Sequence, residues 1–307
     1  MGVDRDDTDA APEPVHRFGH VALLGRPNVG KSTLLNALVD TRLSIVTPKP
    51  QTTRHRILGM VNRAHAQIAF LDTPGLHHAD ARALNRRLNR IARQVPEEAD
   101  VLIHVIEALR WSADDEDVWR LVARHRQPRL LAINKVDRVK DKTALLPFAA
   151  KIAHEHDYAT THYLVARRGE GVERLLDDVS GRLPEGPAQF EDDAFTDRSE
   201  RFLAAELIRE QLMLRLSAEL PYSVAVEIER FENDNGLSRI AAIIWVERES
   251  QKAIVVGTGG TQLKAIGSEA RRAMESLFGR RVFVQMWVRV RENWSDDERA
   301  LHSFGYE

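Results

Sequence analysis

One glycine-rich segment has the spacing of a loop that binds phosphate groups. It lies between an apolar run at residues 20–24 and a helix-compatible stretch that starts at Thr33, and it consists of Gly25, Arg26, Pro27, Asn28, Val29, Gly30, Lys31 and Ser32. The glycines let backbone N–H groups turn toward phosphate oxygens, and the N-terminus of the following helix adds positive charge. Lys31 would reach the terminal phosphates, and Ser32 would offer an oxygen to Mg²⁺. The segment predicts a site for a nucleoside triphosphate with Mg²⁺.

A second motif, Asp72-Thr73-Pro74-Gly75, follows the apolar residues 66–71. The Asp72 carboxylate would help to hold Mg²⁺, either directly or through water, and the Gly75 backbone N–H would contact a third phosphate. Alone this tetrapeptide is an ordinary strand-to-turn sequence. After the phosphate-binding loop it predicts the metal side of the same site.

A third motif, Asn134-Lys135-Val136-Asp137, also closes an apolar run and would select the base. The Asp137 carboxylate can accept two hydrogen bonds from the N1–H and 2-amino groups of guanine, and adenine offers no such pair. Lys135 would lay its aliphatic stem along the base. The three motifs in this order predict GTP rather than ATP.

The elements that must position these motifs read as an α/β domain. Apolar runs at 20–25, 66–72, 101–108 and 129–134 are each followed by a polar, helix-compatible stretch. Such runs are typical of buried strands in a mostly parallel sheet with helices on both faces. We therefore predict a domain over residues 17–183, preceded by a disordered acidic tail at 1–16.

Composition sets further limits. The chain has 307 residues, a net charge of -2 and no cysteine, which excludes disulfides, thiolate-bound zinc, iron–sulfur clusters and a cysteine nucleophile. No stretch reaches 18 consecutive apolar residues, and the first residues lack the core of a signal peptide. These features favour a soluble intracellular protein.

The pattern changes after a linker rich in Pro, Gly and acidic residues at 184–197. An amphipathic helix is predicted over 198–219, followed by strands at 223–231 and 239–247 that are joined through Asn235-Gly236. A short apolar stretch, a glycine cluster at 257–260, a helix over 261–278 and a strand at 282–290 complete a smaller α+β domain, residues 198–307 with a C-terminal extension.

These motifs, with the segments 50-PQTTRHRI-57 and 286-MWVRVRENW-294, resemble the Era family of bacterial Ras-like GTPases. The resemblance covers residues 18 to 306 and implies a P-loop GTPase domain followed by a type II KH domain. It implies an enzyme that converts GTP to GDP and phosphate, binds the 3′ end of 16S rRNA and assists maturation of the 30S subunit. It also implies a cytoplasmic monomer with peripheral contact to the inner face of the cell membrane.

The resemblance assigns further roles at the nucleotide site. One of Thr52 and Thr53, in the first switch, would complete the coordination shell of Mg²⁺. The sequence does not decide between the two, and Thr53 is favoured. Catalysis would then rest on Lys31, Thr53 and Gly75, because Leu76 stands where Ras-like enzymes place a water-orienting Gln. Asn28 would hold a K⁺ ion that replaces an arginine finger.

The loop at residues 163–171 departs from the family. Val165 stands where the family has a serine that rigidifies the turn, so weaker nucleotide affinity is expected. The backbone N–H of Ala166 would still donate to guanine O6.

The KH loop departs from the family as well, because Thr258 replaces a lysine. We expect the loss of one phosphate contact and of about one unit of salt dependence. The segment Gln251–Arg291 still has eight basic and two acidic residues, a charge of +6. The predicted RNA-binding residues are Gly257, Thr258, Gly259, Gly260, Lys264, Arg271 and Arg289. Three tryptophans, Trp245, Trp287 and Trp294, are expected to pack inside the domain rather than to stack on bases.

Two other functions stay open. Val165 and the missing Gln would suit an RNA-binding protein whose nucleotide is structural and barely hydrolysed, and Thr258 would suit a KH fold that docks proteins. A tRNA-modifying relative is disfavoured, because such enzymes use a C-terminal cysteine and this chain has none.

Overall fold

The fold is known from a computed structural model that describes residues 15–76, 83–217 and 220–305. Most of the acidic segment that was predicted to form a disordered tail lies outside these residues. Within the described ranges, no helix combines the length and the apolar character that crossing a lipid bilayer requires.

Strands and helices alternate along the N-terminal domain. In chain order they are β1 (Arg17–Leu24), α1 (Lys31–Val39), β2 (Ile57–Arg63), β3 (Ala66–Asp72), α2 (Ala83–Glu98), β4 (Val101–Glu107), α3 (Ala113–Val122), β5 (Arg129–Asn134), α4 (Leu145–Glu155), β6 (Thr160–Tyr163) and α5 (Val172–Arg182).

The strands form one sheet in the order β2-β3-β1-β4-β5-β6. Only β2 pairs antiparallel, with β3, and the other neighbours are parallel, so the prediction of a mostly parallel sheet is confirmed. Helices α1 and α5 cover one face, and α2, α3 and α4 cover the other. Because the phosphate-binding loop, residues 72–75 and residues 134–137 follow β1, β3 and β5, all three motifs meet at one edge of the sheet.

Alternation within β1 explains how the sheet is buried on both sides. Val21 and Leu23 pack in the cluster that contains α1 and α5, whereas Ala22 and Leu24 pack in the cluster that contains α2 and α3. All four are at most 2% exposed. A strand buried on both faces needs apolar residues at every position, which is the pattern that the sequence shows.

The C-terminal domain packs helices on one face of a small sheet. Its elements are α6 (Glu200–Arg215), β7 (Ala225–Asp234), β8 (Leu237–Val246), α7 (Glu249–Val256), α8 (Thr261–Phe278), β9 (Arg281–Val290) and α9 (Glu298–Ser303). The sheet order is β7-β8-β9, with β7 antiparallel and β9 parallel to β8. Helices α6 and α8 bury the inner side of this sheet.

Helix α7 occupies the stretch that the sequence indicated only as a short apolar run. The Gln251 side chain accepts hydrogen bonds from the backbone N–H groups of Glu247 and Arg248, and so caps the start of the helix. Gly257, with a φ of 72°, ends it. Gln251 occupies the third position of a capping box, but the N-cap residue is Arg248 in place of the usual Ser, Thr, Asp or Asn, which explains why α7 was missed.

The segment 184–197 is docked along the outer strands of the N-terminal sheet. Gln67 accepts hydrogen bonds from the N–H groups of Gln189 (2.8 Å) and Phe190 (2.9 Å). Thr196 donates its hydroxyl to the Leu58 carbonyl at 2.7 Å. These contacts attach both halves of the segment to the N-terminal domain.

The two domains meet through two separate contacts. Residues 42–54, which we call the first switch segment, lie against α6. Helix α2 lies against the C-terminal extension, where Leu84 and Leu88 share a buried apolar cluster with Trp294 and Leu301. The backbone N–H of Ala83 also donates to Asp296 at 2.9 Å.

Candidate functional site

A cavity of about 660 Å³ opens where the three motifs meet. The phosphate-binding loop, the first switch segment and the loop after β5 form its walls. The predicted residues that line it are Pro27, Asn28, Gly30, Lys31, Ser32, Thr33, Thr53, Gly75, Asn134, Lys135 and Asp137. The structure therefore brings residues up to 110 positions apart into one site.

Close backbone approach explains the glycines of the phosphate-binding loop. A Cβ atom on Gly25 would lie 2.4 Å from the Val105 carbonyl oxygen, and one on Gly30 would lie 2.3 Å from Asn134 Nδ2. Gly30 also has a φ of 105°, which side chains disfavour. The loop is thus pressed against β4 and against the loop after β5.

Lys31 is buried at the start of α1. Its ammonium donates to the carbonyl oxygens of Gly25 (2.8 Å) and Arg26 (3.1 Å). Burial lowers the pKa of Lys31 to about 8, although the charge of Asp72 opposes the shift. A bound phosphate would favour the charged form, so the lysine is placed to gain an anionic partner.

A set of oxygen atoms surrounds the end of β3. Asp72 Oδ2 accepts hydrogen bonds from Ser32 (2.7 Å) and Ser44 (2.9 Å), and Thr53 Oγ1 lies 2.8 Å from Ser32 Oγ. Burial raises the pKa of Asp72 despite the nearby charge of Lys31. Asp72 Oδ1 is buried and has no hydrogen-bond partner in the described part of the chain. Hydroxyl and carboxylate oxygens with one atom unpartnered fit Mg²⁺.

The structure separates the two threonines of the first switch segment. Thr52 directs its hydroxyl back into the segment, toward Thr47 (2.6 Å) and the Lys49 carbonyl (2.7 Å). Thr53 points toward Ser32 and Asp72. Of the pair, Thr53 is the one placed beside the candidate metal ligands.

Asn134 joins two loops. Its Nδ2 donates to the Val29 carbonyl at 2.9 Å, and its Oδ1 accepts from the Ala166 N–H at 3.0 Å. In this structure the Ala166 N–H has Asn134 as its acceptor, and its predicted donation to guanine O6 stays a prediction. Val165 and Arg167 line the cavity at this point instead.

Backbone hydrogen bonds hold the turn that lacks the family serine. Val165 donates its N–H to the Glu170 carbonyl at 3.0 Å, and the Arg168 N–H donates to the Val165 carbonyl at 2.8 Å. The turn is thus closed without a hydroxyl. Weaker nucleotide affinity at this loop stays a prediction.

Arg26 turns its side chain away from the cavity. Its guanidinium contacts Asp115 (3.1 Å) and Glu107 (3.4 Å), so only its backbone faces the phosphate position. Glu107 also pairs with Lys135 at 3.2 Å, and Lys135 in turn donates to the Asn28 carbonyl at 2.6 Å. Burial would raise the pKa of Glu107, but Lys135 and Arg26 hold it below its usual value.

Sequence reasoning missed Glu107, Asp115 and about a third of the residues that line the cavity. The missed lining residues are Ile45, Val46, Thr47, Pro48, Gln51, Arg138 and Arg167. The first switch segment has no recognisable sequence motif before residue 50. Its position between α1 and β2 was therefore the only sequence signal that it lines the cavity. For Glu107, the signal was its place at the carboxyl end of a buried strand.

In the C-terminal domain, two glycines of the loop at 257–260 face open space. Gly259 and Gly260 have φ values of 59° and 77°, and a Cβ on either would meet nothing within 4 Å. Lys264 lies exposed one turn into α8 and forms no ion pair with the residues that the structure describes. The loop and this lysine form one accessible, positively charged end of α8.

Two other predicted RNA-binding residues are placed differently. Arg271 is paired with Glu275 of the same helix at 2.9 Å. Arg289 lies on β9 among the exposed odd-numbered residues, whereas α8 covers the opposite side of the strand. The structure thus joins Lys264 to the glycine loop and leaves Arg289 on another face.

Comparisons with known proteins match both domains. The profile of the 50S ribosome-binding GTPase family matches residues 20–135, and that of the KH domain matches residues 219–295. The GTPase Era of Xanthomonas oryzae pv. oryzae is 55% identical over 292 residues, which cover 95% of this chain and 98% of the relative. The chain belongs to the Era family. A second Era relative, from Stenotrophomonas maltophilia, is 54% identical over the same length.

Solved Era structures share the whole fold. Era of Aquifex aeolicus bound to GDP and AlF4⁻ superposes with a TM-score of 0.91 at 37% identity, covering 94% of this chain and 99% of that one. Era in complex with MgGDPNP and nucleotides 1506–1542 of 16S ribosomal RNA also gives a TM-score of 0.91 at 37% identity, covering 95% and 99%. The predicted P-loop GTPase domain, KH domain and GTPase activity are confirmed: this Era-family chain hydrolyses GTP to GDP and phosphate.

Proposed function

We propose that this Era-family protein is a GTP-dependent switch whose KH domain binds the 3′ end of 16S rRNA during maturation of the 30S subunit. The observation that carries the proposal is the double attachment of the first switch segment. It contacts the candidate metal ligands through Thr53 and contacts the KH helix α6 through several other residues. The Era complex with 16S rRNA nucleotides supports the choice of RNA.

The attachment to α6 is polar and largely buried. Arg209 forms a buried pair with Glu206 and donates to the Thr52 carbonyl, the residue next to Thr53. Glu210 accepts from the Val46 N–H at 3.1 Å, and Lys49 donates to carbonyls at the end of α6. Loss of the γ-phosphate would release Thr53, and these bonds would carry that change to the KH domain.

Arg54 extends the link to the start of β7. Its guanidinium donates to the carbonyl oxygens of Pro221 (3.1 Å), Tyr222 (3.1 Å) and Val224 (2.8 Å). A planar guanidinium with several fixed donors suits this task, because it holds three carbonyls in one geometry. Movement of Arg54 with the switch would therefore displace the first KH strand.

At the nucleotide, the phosphate-binding loop from Gly25 to Thr33 would enclose the phosphates, with Lys31 on the terminal groups. Ser32, Thr53 and Asp72 would hold Mg²⁺, which neutralises the charge that develops on the phosphates. Asp137 would accept from guanine, and Lys135 would cover the base. Asp137 suits this role because it is exposed, lines the cavity and forms no ion pair with described residues.

For hydrolysis, Lys31, Thr53 and the Gly75 N–H would orient and stabilise the reacting phosphate. Leu76 packs partly buried against apolar residues, so its side chain supplies no group to the attacking water. Asn28 Nδ2 donates to the Pro48 carbonyl at 3.2 Å, which leaves Oδ1 as an oxygen for K⁺. Replacing K⁺ by Na⁺ should slow hydrolysis, and equal rates in both salts would contradict the K⁺ site.

The RNA would be bound by the residues that were predicted from the loop pattern, with the glycine loop and Lys264 as the main contact. We place the GTPase domain at 17–183, the linker at 184–197 and the KH domain at 198–307. The cytoplasmic location, the monomeric state and peripheral membrane contact stay predictions from the family resemblance.

The experiment is a GTP hydrolysis assay in K⁺ and Mg²⁺, with and without an RNA oligonucleotide that matches the 3′ end of 16S rRNA. The variant Gly259→Asp is the control, because Asp tolerates a positive φ and its charge repels phosphate. We expect the RNA to stimulate turnover in the wild-type chain and not in the variant.

Two outcomes would contradict the proposal. Turnover that the RNA does not change, with RNA bound, would show that the domains are uncoupled. Negligible turnover under all conditions would favour an RNA-binding protein with a structural nucleotide.

A further inference from the structure

The outer face of the KH sheet carries an uninterrupted exposed row on β9. Residues at even positions, such as Val282 and Val288, are buried under the helices. The exposed residues at odd positions are Arg281, Phe283, Gln285, Trp287 and Arg289. Phe283 and Trp287 are 46% and 43% exposed, so the expectation that Trp287 packs inside the domain is wrong.

Positive charges flank the two rings. Arg239 of β8 lies opposite Phe283 in the sheet, and Arg281 and Arg289 stand at the two ends of the row. None of these three arginines forms an ion pair with residues in the described ranges. By contrast, Arg230 on β7 contacts Glu232 at 3.7 Å. The face thus carries three exposed arginines that are outside the ion pairs of the described residues.

The spacing of the rings allows each to take a separate base. Four residues along a strand span about 13 Å, several times the 3.4 Å between stacked bases. A shallow groove beside the rings is lined by Arg230, Arg239, Gln285 and both aromatic side chains, and by Glu229 and Glu232 at its β7 side. Aromatic rings with flanking arginines and an open groove form the usual platform for single-stranded nucleic acid.

We propose that this outer face is a second RNA contact, which stacks bases that flank the segment held at the glycine loop. Continuity supports the choice of partner. β9 is an edge strand of the sheet, and α7 and α8 pack on its inner side, so a strand of RNA can pass from the glycine loop around that free edge. The inference rests on the proposed RNA function and extends the footprint on the KH domain.

The experiment compares two RNAs with the full-length protein. The short RNA matches the 3′ end of 16S rRNA, and the long RNA carries an added single-stranded flank at either end in turn. We expect the wild-type chain to bind one long RNA more tightly. The double variant Phe283→Ala, Trp287→Ala should lose about tenfold in affinity for that RNA and keep its affinity for the short one.

Three controls keep the test interpretable. The conservative pair Phe283→Tyr, Trp287→Phe retains both rings and should bind the long RNA as the wild type does. Leu146→Ala removes a side chain that is 70% exposed on α4, far from the KH domain, and should change nothing. Arg239→Gln with Arg281→Gln should lower the salt slope for the long RNA by about two.

The outcomes separate this inference from the proposed function. If the alanine pair binds both RNAs as the wild type does, while Gly259→Asp abolishes binding, the second contact is overturned and the proposed function stands. If the wild-type chain binds neither RNA, both fail. Concentration-dependent self-association that is lost in the alanine pair, with RNA affinity unchanged, would assign the face to a second copy of the chain and overturn the RNA contact.

Discussion

The nucleotide cleft and the KH surface differ in how their side chains are held. In the cleft, Lys31, Asp72 and Asn134 are buried and form hydrogen bonds to neighbouring loops. On the KH surface, the side chains of Lys264 and Trp287 are exposed and form no hydrogen bond or ion pair with described residues. A single change in the cleft should therefore disturb several loops, whereas changes on the KH surface should act independently and respond to salt.

Asn134→Ala gives the strongest test of the interlocked cleft. The change leaves the Val29 carbonyl and the Ala166 N–H without their buried partner, and each such loss costs about 1–3 kcal/mol. We expect the free energy of unfolding to fall by about 4 kcal/mol, measured by urea denaturation without nucleotide. As a control, Ser268→Ala removes an exposed hydroxyl that donates to the Lys264 carbonyl at 2.8 Å and should cost less than about 1 kcal/mol. Equal losses would show that the cleft is no more interlocked than the surface.

Asp137→Asn should separate base recognition from this interlocking, because Asp137 forms no ion pair in the described part of the chain. Replacing the carboxylate removes one of two charge-assisted acceptors and places an amide donor opposite the guanine amino group. GTP affinity should fall by about 100-fold, while stability without nucleotide stays unchanged. Xanthine has an oxygen where guanine has the amino group, so affinity for XTP should rise. Loss of stability in this variant would contradict the assignment.

His55 tests the junction between the two regions through pH. The residue follows the first switch segment, and its ring lies 5.1 Å from that of Phe202 on α6. Burial lowers the pKa of His55 to about 4, from a usual value of about 6.5. Between these values the unfolded chain binds a proton that the folded chain does not, so stability falls as the pH falls.

We expect the His55 contribution to drop by about 2 kcal/mol between pH 6.5 and pH 5. The measurement is urea denaturation at several pH values in the wild-type chain and in His55→Gln, whose side chain does not titrate. The difference between the two curves isolates His55 from other groups. Parallel curves over this range would exclude a depressed pKa at the junction.

The smallest expected effect concerns the KH surface. Lys264→Gln should lower the slope of RNA affinity against salt concentration by about one unit. Arg271→Gln should change the slope less, because Glu275 already neutralises that arginine at 2.9 Å. Salt titration of RNA binding compares the two variants directly. A larger effect from Arg271 would mean that RNA displaces its ion pair.

The contrast also explains what could be predicted from the sequence. The cleft motifs follow strands, and parallel strands bring their carboxyl ends to one edge, so the meeting of Lys31, Ser32 and Asp72 in one site could be inferred from the sequence. The contact of Ser44 with Asp72 could not. The basic KH residues were predicted from their charge, and charge alone does not indicate on which side of the domain a residue lies. Arg289 lies on the outer side of β9 because strand residues alternate, a placement that depends on the sheet register. The hydrogen bond from the Ala166 N–H to Asn134 could not be predicted, because it depends on how the loop at residues 163–171 packs against the end of β5.

The docked segment between the domains has a consequence for enzymatic cleavage. Residues 189, 190, 195 and 196 form hydrogen bonds to the N-terminal sheet, so few unattached residues remain before α6 begins at Glu200. Proteases cut where several residues can detach from the surface. Limited proteolysis should therefore fail to separate the two domains at this position. The KH domain would reorient by rotation about a short hinge at Asp197 and Arg198, and not through a long flexible linker.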